Sequence, residues 1–302
     1  MSEALIKQLA KSRWGKALLC GGVETFDRFL CTPARIRRKG ARPLSGGGRR
    51  FSVAIAHYNR GAKIHQALYN LLDHPAVAEV VIVDDGSEPA QFADLECAVA
   101  DLPDRIRLHR REKNLGALVS KGEAVERSSS EWVLVLDSDN TVFRSCLDRF
   151  AALTAPSPDT FYCAEWAFPF FDFAPLTGIR LDRETCGATT RSGLLRRTYI
   201  INDGNYFVPR DGYTEAVKSL AGTGRDGADV MLVNYRWMTS GGAMEIMPGA
   251  AYLHRLDPAS LYKSTEEKSR SRILDMFSRF EKNLPCDEDY IAALRSAGDV
   301  QR

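Results

Sequence analysis

The chain has 302 residues, 44% hydrophobic and 26% charged, the composition of a globular protein large enough to bury a sizeable core. A net charge of +2 gives no global attraction for nucleic acid, and no apolar run reaches the ~20 residues of a membrane-spanning helix. Seven irregularly spaced cysteines without a C-x-x-C pair argue against a disulfide framework or zinc knuckle and fit a reducing cytosol.

The charge is unevenly spread. The first 50 residues hold twelve Lys and Arg against Glu3, Glu24 and Asp27, a local +9, so the remainder carries −7 of the total +2. Residues 2–20 read as a helix with Leu5, Ile6, Leu9, Trp14, Ala17 and Leu18 towards one side and Lys7, Lys11, Arg13 and Lys16 on the other. Such a helix either lies on an anionic bilayer surface or docks on the body with a solvated outer face. Residues 33–50, with seven Lys and Arg and the run Gly46-Gly47-Gly48, read as an exposed linker. Together, residues 1–50 form a basic arm.

From Phe51 the pattern becomes regular. Residues 51–56 are a strand, His57-Tyr58-Asn59-Arg60-Gly61 a turn, and residues 62–74 a helix with Ile64, Leu68, Leu71 and Leu72 inward. Residues 77–83 are a second strand closed by Asp84-Asp85-Gly86-Ser87, and residues 89–102 a helix. Residues 106–109 are a third strand, and Asn114-Leu115-Gly116 opens a helix to about Arg127. Val133-Leu134-Val135-Leu136 is a strand buried on both faces, ending in Asp137-Ser138-Asp139. Strand and helix alternating over 51–140 specify a parallel sheet of β-α-β units, whose ligands sit at the carboxyl ends of the strands.

Beyond Asn140 the pattern loosens. Residues 161–173 are rich in aromatic side chains, mostly core, and residues 198–213 combine Asn-Asp-Gly-Asn with a strand, which predicts a hairpin over a pocket mouth. An apolar run follows Asp229, and Pro258 suits the first turn of a long helix over 259–284.

Four features recur at strand ends. Tyr58 offers a face for a pyrimidine, and a carboxylate at Asp84 or Asp85 can accept from a base N–H. Asn114-x-Gly116 opens a helix, and two acids spaced as Asp137 and Asp139 can face one hard cation carrying a diphosphate. In that order, the segments V-A-I-A-H-Y-N, V-I-V-D-D-G-S, N-L-G-A-L-V-S-K-G and E-W-V-L-V-L-D-S-D between Val53 and Asp139 resemble glycosyltransferase family 2, inverting enzymes that use nucleotide-sugars. The resemblance implies an α/β GT-A fold, a Rossmann-like mostly parallel sheet flanked by helices, with helical extensions at both ends. It divides the chain into the arm (1–50), a nucleotide-sugar-binding half (51–140), an acceptor-binding half (141–257) and a C-terminal helical extension (258–302).

The resemblance also implies roles. Tyr58, Asp84, Asp85 and Asn114 belong to the nucleotide site, Asp137 faces ribose or sugar, and Asp139 holds Mn2+ or Mg2+ on the donor diphosphate. Lys121 falls where the family often has an Arg near the donor sugar, and Gly122 stands where the family has an Asn. The acceptor base is the family's carboxylate before an apolar helix. Gly227-Ala228-Asp229-Val230-Met231-Leu232 fits it with Asp229 alone, Asp226 being the substitute and helix capping the competing duty of Asp229. His254 is expected at the metal or diphosphate, with Arg255, Lys263 and Arg210 as diphosphate neutralisers. Val233-Asn234-Tyr235-Arg236-Trp237 keeps Arg and Trp of the processive Gln-x-x-Arg-Trp signature but lacks the Gln. The expected activity is therefore non-processive transfer from a nucleotide-sugar, a UDP-sugar, to a glycan or lipid-linked acceptor. The expected place is the cytoplasm, peripheral to the inner face of a membrane through the basic arm. Two alternatives stand beside it: a nucleotidyltransferase, whose Gly-rich basic loop His57-Tyr58-Asn59-Arg60-Gly61 matches poorly, and a silent scaffold, which the retained acids disfavour.

Overall fold

Between residues 51 and 140 the computed structural model shows the parallel layer that the alternation predicts. The described residues are 48–102, 104–223, 227–255 and 266–299. The expected helix over 2–20, the linker to residue 47, Asp226, Pro258 and Lys263 lie outside them. Strands β1 (Phe51–His57), β2 (Val77–Asp84), β3 (Ile106–Arg110) and β4 (Trp132–Asp137) stand in the order β3-β2-β1-β4, every pairing parallel. Their crossovers carry α1 (Ile64–Leu68), α2 (Pro89–Val99) and α3 (Ala117–Glu126). Pro89 begins α2, where its missing N–H has no helical partner to lose. Val53, Ile55, Val81, Val83, Val133 and Val135 are all fully buried, as strands covered by helices on both faces require.

Register decides what this layer can do. Ala56 pairs with Asp137 and His57 with Asp84, so the carboxyl ends of three adjacent strands present their polar residues along one edge.

The second half extends the same sheet. It contributes β5 (Thr141–Val142), α4 (Arg144–Ala151), β6 (Thr160–Phe168), β7 (Phe171–Asp172), α5 (Arg183–Arg191) and α6 (Leu194–Thr198). Then come β8 (Tyr206–Pro209), α7 (Arg210–Ser219), α8 (Asp229–Thr239) and β9 (Ala243–Leu253), followed by α9 (Glu266–Glu281) and α10 (Glu288–Asp299). The order continues β4-β8-β6-β9-β5, with β7 on β6. β8 runs antiparallel to β4 and β6, while β6 and β9 are parallel. Phe51 of β1, Phe150 of α4 and Phe207 of β8 join the halves. Phe150 stacks on Phe207 at 3.9 Å and Phe51 meets Phe207 edge-on at 4.9 Å, each pair worth ~0.5–1.5 kcal/mol beyond burial.

The hairpin expected over 198–213 is not formed. Tyr206, Phe207, Val208 and Pro209 are all buried, and such a segment is held between two central strands rather than turned back over a mouth. Arg236 and Trp237 serve packing. Arg236 donates to the Cys286 carbonyl and pairs with Glu288 at 3.3 Å, tying α8 to the C-terminal helices. Trp237 stacks on Phe161 at 4.3 Å and its indole N–H donates to the Ala243 carbonyl. Gly122 has a steric reason too: a Cβ there would lie 2.5 Å from Val217 Cγ1, so its hydrogen lets α3 and α7 approach. Among the described residues no helix is long and apolar enough to cross a membrane.

Candidate functional site

The turn after β2 is built by its own acids. Asp84 lies 2.9 Å from His57 Nδ1 and accepts from the Ser87 amide at 3.0 Å and the Ser87 hydroxyl at 2.5 Å. Burial pushes the Asp84 carboxyl up, but the bonds from His57 and Ser87 outweigh it and hold it below the usual range. Asp85 accepts the amides of Leu115 and Gly116, both at 2.8 Å, and so pins the loop that carries half-buried Asn114. Both acids are buried; a carboxylate has about four acceptor positions, so Asp85 keeps acceptor capacity beyond these two bonds, with the Arg111 guanidinium 3.8 Å away. Tyr58, at the end of β1, is 44% exposed.

The tip of β4 gathers charge. Asp137 Oδ1 is 2.7 Å from Lys121 Nζ, and its Oδ2 accepts from the Asn205 amide nitrogen at 3.1 Å and the Asn140 amide nitrogen at 3.3 Å. The cations Lys121 and Arg60, with His254, more than offset burial and lower the Asp137 carboxyl. Asp139 Oδ2 pairs with Arg60 Nη1 at 2.9 Å. Arg255 donates to the Asp139 carbonyl at 2.6 Å and to Thr141 Oγ1 at 2.9 Å, while its own amide donates to Asn140 Oδ1. Arg210 is spent elsewhere, on the Ser128 carbonyl and Asp211.

Lys121 links the halves. Burial disfavours its charge, yet Asp137 above all, together with Tyr213 and Asp229, raises the ammonium well above the usual lysine range. Asp229, 8% exposed, is the first residue of α8, and its Oδ1 accepts the Val230 amide at 2.8 Å. Its carboxylate thus takes up one amide of the helix's first turn while standing in the field of the same ammonium as Asp137, 92 positions earlier in the sequence. Gly204 makes room for this ammonium: a Cβ there would lie 3.1 Å from Lys121 Nζ and 3.0 Å from Val230 Cγ2.

Three of these participants went unrecognised in the sequence. Arg60 sits in a turn, and Asp203 and Asn205 belong to the Asn-Asp-Gly-Asn run that resembles turn chemistry. A signal was present nonetheless, since four polar or small residues directly before an apolar strand also suit the floor of a site. Asn205 Oδ1 accepts the Asp137 amide at 2.9 Å, and Asp203 Oδ1 accepts the Asn205 amide at 3.0 Å and the Tyr252 hydroxyl at 2.9 Å. Asp203 Oδ2 is buried without a hydrogen-bond partner. Burial, aided by nearby Asp137, pushes the Asp203 carboxyl up to about 7, against bonds from Asn205 and Tyr252 that oppose the shift. Between pH ~4 and ~7 the unfolded chain therefore releases this proton while the folded chain keeps it, so stability falls as pH rises through that window. Asp203→Asn should remove this slope. The stability difference between mutant and wild type in urea should move in the mutant's favour by a few kcal/mol, on the order of 1.4 per pH unit, from pH 4.5 to pH 8. A difference that stays constant with pH would show that Asp203 ionises as it does when unfolded.

Among the described residues no group of three or more His, Cys, Asp and Glu is arranged to hold a metal ion by itself. Mg2+ and cations like it are commonly held by one or two carboxylates, with substrate phosphates completing the coordination. Asp139 meets that requirement. Burial lowers the pKa of His254 against the field of Asp137, and its Nδ1 is buried without a hydrogen-bond partner. The donor set fits a cation that arrives with a diphosphate.

Residues 52–232 match the profile of the family described as Glycosyl transferase family 2. The succinoglycan biosynthesis protein ExoO of Rhizobium meliloti is 37% identical over 93 residues, 30% of this chain and 26% of that protein. The curated relatives matched are aligned over only 36%, 26%, 26% and 39% of their own lengths. Among solved structures, S. aureus TarS in complex with UDP-GlcNAc superposes with a TM-score of 0.53 at 16% identity, covering 82% of this chain and 71% of that chain. GalNAc-T7 with UDP, GalNAc and Mn2+ gives 0.53 at 13% identity, covering 93% and 63%. At these identities the likeness establishes the fold, that of GT-A glycosyltransferases.

Proposed function

The chain belongs to glycosyl transferase family 2, and on that premise we propose that it moves a sugar from a UDP-sugar to a hydroxyl of a glycan or lipid-linked acceptor, with inversion and one residue at a time. The observation that carries the reading is the meeting of Asp137, from the end of β4, and Asp229, from the start of α8, in the field of the Lys121 ammonium. A donor at the strand ends and an acceptor on the α8 side would then share one boundary. Relatives named for succinoglycan and teichuronic acid biosynthesis point the same way, to the synthesis of a surface polysaccharide or glycoconjugate.

In this reading Tyr58 stacks on the base, Asp85 accepts from its N–H and Asn114 borders the same pocket. Lys121 and Asn205 fix Asp137 against the ribose or sugar. Asp229 takes the acceptor proton as the acceptor oxygen bonds to the anomeric carbon, while the bond from that carbon to the diphosphate breaks on the opposite face. Mn2+ or Mg2+, held by Asp139 and His254, supplies positive charge to the diphosphate when bound. Arg255 braces the Asp139 backbone.

A screen of nucleotide-sugars with Mn2+, read by released nucleoside diphosphate, tests the proposal. UDP release from one UDP-sugar, accelerated by acceptor glycan, is the expected result. Pyrophosphate release would indicate nucleotidyl transfer, and no metal-dependent heat on titration with UDP would indicate a scaffold.

A further inference from the structure

We propose that Arg60 is a built-in stand-in for the donor's cation: it neutralises Asp139 until the diphosphate arrives with its metal, and it is then displaced from that carboxylate towards the phosphates. The inference rests on Asp139 as a cation ligand and assigns a task to a residue that this reading leaves without one.

The pair is enclosed. Arg60 Nη1 lies 2.9 Å from Asp139 Oδ2, with the two side chains 22% and 10% exposed, and 3.4 Å from Ser138 Oγ. A carboxylate so far from water requires a partner of opposite charge in every state it occupies. The backbone beside Arg60 is prepared for this reach. Asn59 holds the left-handed conformation at φ 49, its amide donates to Ser87 Oγ at 2.8 Å, and its side-chain oxygen accepts the Glu88 amide at 2.8 Å. Asparagine tolerates that conformation better than most side chains, and two hydrogen bonds keep it there. The same β2 turn that holds Asp84 therefore aims the residue after Asn59.

Arg255 does not duplicate this role. Its guanidinium donates to the carbonyl of Asp139 and the hydroxyl of Thr141, holding the backbone of the loop, whereas Arg60 pairs with the carboxylate. A divalent cation on Oδ2 and a guanidinium at hydrogen-bond distance from that oxygen would repel each other, so the arrivals are alternatives. Exchange preserves charge balance at Asp139, and a guanidinium released beside a diphosphate can donate to two of its oxygens at once. Metal without nucleotide must displace Arg60 with no such compensation, whereas metal with UDP offers Arg60 a new anion. The two ligands should thus bind cooperatively through this one side chain.

Free Mn2+ measured by electron paramagnetic resonance, with and without UDP, tests this in the full chain. Arg60→Gln should bind Mn2+ alone about tenfold more tightly than wild type, and the gain in Mn2+ affinity that UDP brings should shrink by a similar factor. Arg60→Lys, which keeps the charge with a shorter reach, should fall between the two, and thermal melts confirm that each variant is folded. Unchanged or weaker Mn2+ binding in folded Arg60→Gln would overturn the proposal. Asp139→Ala separates this failure from that of the underlying reading: if it binds Mn2+ as wild type does, the metal assignment itself is wrong.

Discussion

Replacing Asp139 with Ala is expected to abolish transfer and, with it, the part of UDP affinity that depends on a divalent cation. The carboxylate at the tip of β4 is mostly buried, lies beside Arg60 and has its backbone held by Arg255, so its direction is set by its surroundings. Loss of one preorganised charge at a developing diphosphate costs about 10²–10³ in turnover, and loss of the cation it holds should cost at least as much. Calorimetry with UDP in Mn2+ and again in EDTA gives the check. Wild type should lose affinity on chelation, and Asp139→Ala should show the EDTA value under both conditions. If the mutant still responds to Mn2+, the cation is held elsewhere and Asp137 becomes the candidate.

Asp229→Asn should separate chemistry from binding. Removing a general base lowers turnover about 10²–10⁴-fold. The substitution leaves an amide oxygen able to accept the Val230 N–H, so the start of α8 and the melting temperature should be nearly unchanged. UDP and Mn2+ should bind as in wild type, because Asp229 stands at the start of α8 and the substitution keeps its size there, while Lys121 still has Asp137 as its ion-pair partner. Asp229→Ala adds the loss of a carboxylate at the positive end of the helix, ~0.3–1 kcal/mol. An Asn variant that turns over normally would assign Asp229 to the helix alone.

The first four strands were legible because their signal is local. β2 and β4 are short aliphatic runs ending in Asp, which report strand, end and turn together, and right-handed crossovers leave few ways to connect the four strands. Tyr58, Asp84, Asp85, Asp137 and Asp139 could be named for the same reason, since each stands directly at a strand's carboxyl end. The short β8 was harder. Four buried residues after a polar run look the same whether they form a hairpin arm or fill the gap between β4 and β6.

Composition and periodicity by themselves determined the parallel layer and the acids at the carboxyl ends of its strands. Only the tertiary structure decided that Asp137 and Asp229 share one ammonium, that Asp203 is buried deeply enough to hold a proton near neutrality, and that Arg60 lies on Asp139. It also decided that Gly122 and Gly204 are glycines because Val217 and Lys121 lie against them. The reason is physical. Strand formation follows from neighbours a few residues away, whereas a buried charge takes its meaning from partners that come close only when distant segments pack together.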